Sequence, residues 1–155
     1  MASTQANLAY AAITAMLDND GYRYSSNYDG LRIELGFETD DLDVKITFII
    51  DEDRELVCVF SFLPFKFPED KRIEAAVAVC AANHGMVNGS FDYDISDGDL
   101  LFSAVNSYKD ACFSMDIARY MLGITLSTVD KYNDRFYALA KGFISISDFI
   151  NKENS

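Results

Sequence analysis

Side chains with chemical reach are few and scattered in this 155-residue chain. The single histidine is His84, at the end of a helix-forming run. A cation or a donor to the last carbonyls is favourable there, which is a structural use of the residue. One histidine gives no His-pair metal site, and Cys58, Cys80 and Cys112 lack the paired spacing of a zinc site. Their odd count, wide separation and apolar neighbours argue against a disulfide framework. They read instead as buried thiols in a reducing compartment, with no basic neighbour to activate them as nucleophiles.

The acidic runs invite a second test. DYDISDGD, Asp92 to Asp99, superficially resembles a calcium loop. Its glycine, Gly98, falls one place late, and Ser103 stands where a bidentate glutamate is needed. Asp97-Gly98 as a two-residue hairpin turn explains the run better. Asp51, Glu52 and Asp53 read as a charged turn. No GxSxG, P-loop or dinucleotide fingerprint is present. A carboxylate pair brought together from distant strands stays open. The expectation is therefore no catalytic residue, no cofactor and no metal.

Composition bounds the partners. At 50% hydrophobic the chain can build a core, and its length fits one domain spanning residues 1–155. The net charge of −12 opposes nonspecific binding to nucleic acid or an anionic membrane. The start, MASTQANLAY, lacks the basic region and apolar core of a signal peptide, and no apolar run is long enough to span a bilayer. These features predict a soluble cytoplasmic protein.

The positioning elements are legible in order. Ser3 or Thr4 caps a helix running to about Asn19, with Leu8, Ala12, Ala15 and Met16 as its stripe, widened by Ile13 and Leu17, and Asp20-Gly21 at its end. Tyr22 to Tyr28 reads either as a short edge strand or as an extended loop. Leu31, Ile33, Leu35 and Phe37 alternate with Arg32, Glu34 and Glu38, the pattern of a half-buried strand. In the next strand Val44, Ile46, Phe48 and Ile50 take the core face and Ile49 faces away. Leu56, Cys58, Phe60 and Phe62 are then expected on the core face, with Val57, Val59 and Ser61 opposite. On that reading Ile49, Val57 and Val59 are apolar where a solvated face should be polar, and form a candidate protein interface. Either the same chain or a second subunit covers them. Phe65 and Phe67 plug the end of the core, with an exposed docking lip as the alternative.

A central helix starts near Pro68, carries Ile73, Val77, Cys80, Ala81 and His84 on one side, and stops at Gly85. A hairpin follows, with Phe91 and Tyr93 on one face of its first strand and Leu100, Phe102 and Ala104 on one face of its second. From Ser114 the period is helical, through Ile117, Tyr120, Met121 and Ile124 to Tyr132, Phe136, Leu139 and Ala140. Gly123 is placed to bend or split this helix, and Ser147 to cap a last turn through Phe149 before a polar tail.

The strand pair VKITFIIDEDRELVCVFSFLPF (Val44 to Phe65), the segment AANHGMVNGSFDYDISDGDLLFSA (Ala81 to Ala104) and VDKYNDRFYALAKG (Val129 to Gly142), leading into ISDFI, resemble the YbjN family of bacterial proteins, labelled as sensory transduction regulators. The resemblance runs from about Leu31 to Ile150. It implies an α+β fold of the type III secretion chaperone kind: an antiparallel β-sheet with helices packed on it, in the order α-β-β-β-α-β-β-α, commonly dimeric. It implies no catalytic residue. The expected function is a non-catalytic protein-interaction domain, regulatory or chaperone-like, with an unknown protein partner and a homodimer as its candidate assembly. The alternatives are a small-ligand binder or enzyme using a cleft between sheet and helices, or a structural subunit of a larger assembly.

Overall fold

Ser3 opens the first helix as its type predicts: its hydroxyl accepts from the Ala6 N–H at 3.2 Å. The computed structural model describes residues 2–153 and 155; Met1 and Asn154, the latter in the polar tail, lie outside them. Helix α1 (Thr4–Asn19) leads to strands β1 (Ser25–Asn27), β2 (Arg32–Phe37), β3 (Val44–Asp51) and β4 (Leu56–Phe62). A 3-10 turn (Glu69–Lys71) behind Pro68 opens into α2 (Arg72–Asn83), followed by β5 (Ser90–Asp94), β6 (Asp99–Ser107), α3 (Met115–Ala140) and α4 (Ile146–Glu153). The six strands form one antiparallel sheet in the order β1-β2-β3-β4-β6-β5. Tyr22 to Tyr28 thus contributes the short edge strand β1.

Helix α3 lies across β3, β4 and β6, with α1 beside it, while α2 packs against β5, α3 and α4. The inner face of the sheet is fully buried beneath them: Ile33, Ile46, Phe48, Leu100 and Phe102 have no accessible surface. Arg119 of α3 fastens α1 by a two-pronged bond to Asp20, at 2.7 and 3.0 Å. Phe67 plugs one end of the core, and Phe65 stacks edge-on between Phe67 and Tyr137.

Several expected faces are corrected by this packing. In β4 the buried side chains are Val57, Val59 and Ser61, while Leu56, Cys58 and Phe60 are half-buried and Phe62 is exposed. The strand is one residue out of phase with its expected facing. In α2 the buried residues are Ala75, Ala78, Val79 and Ala82. The larger apolar stripe, Ile73, Val77 and Cys80, points outward, because small residues let the helix approach its neighbours closely. In α1, Leu8 is exposed and Ile13 and Leu17 take the core. In α3 the buried line runs through Ala118, Met121, Leu122, Thr125 and Val129, leaving Tyr120 exposed.

The cysteines are free, but only Cys58 is half-buried; Cys80 and Cys112 are exposed. The hairpin loop holds four residues, Ile95 to Gly98, between paired Asp94 and Asp99. Helix α3 is continuous through Gly123. Ser145, two residues before Ser147, caps α4: its hydroxyl accepts from the Asp148 N–H, and the Asp148 carboxylate accepts from the Ser145 N–H.

Candidate protein interface

Alternation along the strands sends every second side chain to the outer face of the sheet, and the register aligns them across it. One row runs Asn27, Arg32, Ile49, Cys58, Val105; the next runs Ser25, Glu34, Thr47, Phe60, Ser103, Ser90. A third joins Phe62, Leu101 and Asp92. Of the three expected interface residues, the structure places only Ile49 on this face, half-buried between Arg32 and Cys58. Val57 and Val59 pair with Ile50 and Phe48 on the inner face and are fully buried. The large outward apolar residues of the central strands include Ile49, Leu56, Phe60, Phe62, Leu101 and Val105. Phe60 and Phe62 were expected in the core, and the parity of the β3–β4 turn was the signal that could have placed them outward; Leu101 and Val105 lie on one of two partly apolar faces of β6, between which the sequence does not choose.

Phe62 and Val105 are the most exposed of these. Phe62 is 49% exposed and meets the Phe60 ring edge-on at 5.8 Å between centroids. Hollows of about 480 and 470 Å³ lie on either side of it. The first is walled by Asp92, Asp94 and Asp99 together with Ile95 and Leu101. The second is walled by Arg32, Glu34, Asp43 and Lys45, with Phe60 and Pro64. Arg32 pairs with Glu34 at 2.7 Å and stands over the Phe60 ring. Lys66 bridges Asp97 and Asp99 at 2.7 and 3.0 Å, and its hydrogen bond holds the Asp97 carboxyl below the ordinary range. Hydrogen bonds from Ser96 do the same for Asp94.

A separate polar hollow of about 490 Å³ gathers His84, Lys131, Tyr132 and Glu153 between α2, α3 and the end of α4. His84 closes α2 with its backbone, donating its N–H to the Ala81 carbonyl. The adjoining Arg135 guanidinium, 7% exposed, pairs with Glu153, donates to the Phe149 carbonyl at 3.1 Å and stacks on the Phe149 ring. Tyr132 donates to Glu153 at 2.7 Å. Burial, and then the Glu153 bond, push Tyr132 up to about 12. Burial works to raise Glu153, but bonds from Tyr132 and Arg135 outweigh it and leave the carboxyl below its ordinary value. This cluster fastens α4 to α3. Among the described residues, no group of three or more His, Cys, Asp or Glu side chains is placed to hold a metal. No helix among them is long and apolar enough to cross a membrane.

One antiparallel sheet backed by helices on one face, with several apolar side chains accessible on the other, defines an α+β domain. The chain belongs to the YbjN family, described as "Putative bacterial sensory transduction regulator", whose model matches residues 9–138. Its fold is similar to the crystal structure of YbjN from E. coli, with a TM-score of 0.59 at 11% identity over 85% of this chain and 92% of that one. It is also similar to a chain of the HopA1-SchA chaperone-effector complex, TM-score 0.56, 9% identity, 86% and 99% covered. A chain of the ExsC-ExsE complex gives a TM-score of 0.54 at 12% identity, 86% and 96% covered. No curated protein sequence matches it.

Proposed function

We propose that this protein is a single, non-catalytic interaction domain that binds another protein through the outer face of its sheet, in a regulatory or chaperone-like role in a bacterial cytoplasm. The observation that carries the reading is the accessible apolar ridge of Phe62, Phe60, Leu101 and Val105 on the face opposite the helices. A contiguous apolar patch rimmed by polar residues is the mark of an interaction surface. The chaperone-effector and ExsC-ExsE complexes, built on chains of similar fold, support it. Capture from the native host by the wild-type chain, lost in Phe62→Ser with Val105→Ser while thermal melting is retained, is the expected result. Undiminished capture of the same protein by the double variant overturns the reading.

We also propose that the outward stripe of α2 pairs with a second copy. From Ala75 to Asn83 the helix carries no charge, yet Val77 and Cys80 are exposed, and Ile73 one turn earlier is 71% exposed. In a chain of net charge −12, this is a face that two copies can bring together without charge repulsion. Light scattering reports a dimer that Ile73→Ser with Val77→Ser dissociates. A monomer at high concentration removes the dimer.

A further inference from the structure

The two ends of the outer face differ in charge, and that difference points to the chemistry of what sits on it. At the β2–β3 end, Arg32 and Lys45 stand beside Glu34 and Asp43, two cations against two anions. At the β5–β6 end, Asp92, Asp94 and Asp99 wall the hollow beside Phe62, and Asp97 lies just beyond. Lys66 is shared between Asp97 and Asp99. Asp92 and Asp94 form no ion pair among the described residues. Asp92 is in register with Leu101, and Leu101 with Phe62, so carboxylate, leucine and phenylalanine stand in line on neighbouring strands about 5 Å apart.

Resting on the reading of this face as a protein-binding surface, we propose that its occupant is a cationic amphipathic segment of a partner protein. Apolar side chains of that segment cover Phe62 and Leu101, and Lys or Arg side chains meet Asp92 and Asp94. A second copy docked face to face does not fit: it sets the Asp92 and Asp94 end of one copy against an end that is acidic or, at best, neutral, and supplies no excess of cations to meet them. Charge of one sign beside an apolar ridge selects partners by sign and speeds encounter, while the ridge supplies the buried area.

The test uses the full chain and two labelled peptides of equal length, one alternating Leu with Lys and one alternating Leu with Glu, followed by fluorescence anisotropy. The Lys peptide binds, more weakly as salt rises, and the Glu peptide does not. Asp92→Asn with Asp94→Asn weakens the Lys peptide about tenfold, the loss of two exposed charge pairs. Asp40→Asn with Asp41→Asn removes the same charge from the exposed β2–β3 turn and leaves binding unchanged. No binding of the Lys peptide, equal binding of both peptides, or equal effects of the two double variants overturns the proposal. If the Asp92/Asp94 variant has no effect while Phe62→Ser abolishes binding, the charge assignment fails and the face reading stands. If Phe62→Ser leaves Lys-peptide binding intact, the face reading fails as well.

Discussion

Asn83, the last residue of α2, closes the free edge of the sheet at Phe91: its Nδ2 donates to the Phe91 carbonyl at 2.9 Å, and the Phe91 N–H donates to its Oδ1 at 2.7 Å. Strand β5 is an edge, and open backbone groups there are a template for pairing with another chain. One side-chain amide takes the place of a neighbouring strand. Asn83→Ala should cost about 2 kcal/mol, roughly 1 for each bond lost, and should raise self-association. Urea denaturation and light scattering check both effects.

Val59 and Phe62 test the facing of β4. Val59 is fully buried, so Val59→Ala should cost about 2 kcal/mol through lost burial and the cavity left behind. Phe62 is half exposed, and Phe62→Ala should cost about 1 kcal/mol or less. Denaturant midpoints for the two variants report which side of the strand faces the helices. The opposite ranking would restore the reading in which Val57 and Val59 lie outward.

Gly98 has no tolerance for a side chain. Its φ is +83°, its carbonyl accepts from the Phe67 N–H at 2.9 Å, and an added Cβ would collide with the Phe67 carbonyl oxygen. Backbone strain and collision act together at the point where the hairpin holds the strand-to-helix connection. Gly98→Ala should destabilise by at least roughly 2 kcal/mol, with loss of amide protection at Phe67, read by hydrogen exchange.

The docking of α4 should have a pH window. The folded Glu153 carboxyl has a lowered pKa, so its contribution is complete above the ordinary glutamate value of 4.5 and is lost as pH falls through its own lower value. The Tyr132 hydroxyl is pushed up to about 12, so its contribution is complete below the ordinary value of 10.0 and is lost as pH rises towards 12. Hydrogen exchange of residues 146–153 should show α4 loosening at both extremes. Glu153→Gln leaves the buried Arg135 without its counter-charge and should cost roughly 3 kcal/mol near neutral pH, with the acid limb abolished.

What the amino-acid sequence alone determined were the features set by local backbone chemistry. A serine at the right place begins α1, Gly85 at φ +80° follows the end of α2, and Asp97-Gly98 lies in the hairpin loop. The core faces of β2 and β3 were legible too, because their opposite faces carry mainly charged or polar residues, whereas both faces of β6 are partly apolar and its buried side was not.

Where both sides of an element are apolar, the period loses its sign. In β4, Leu56, Cys58, Phe60 and Phe62 alternate with Val57, Val59 and Ser61, and composition does not say which set is buried. The four-residue turn closing Asp51 on Leu56 decides it, with Glu55 at φ +55° within it. One residue more or fewer would exchange the two faces. In α2 the tertiary contacts chose alanines over Ile73 and Val77, because close approach to β5, α3 and α4 outweighs the area a larger side chain would bury. The outer ridge at Phe62 exists because the β4 register turned Phe60 and Phe62 away from the core, and the exposed stripe of α2 because its packing turned Ile73 and Val77 outward; neither choice is encoded in any stretch read by itself.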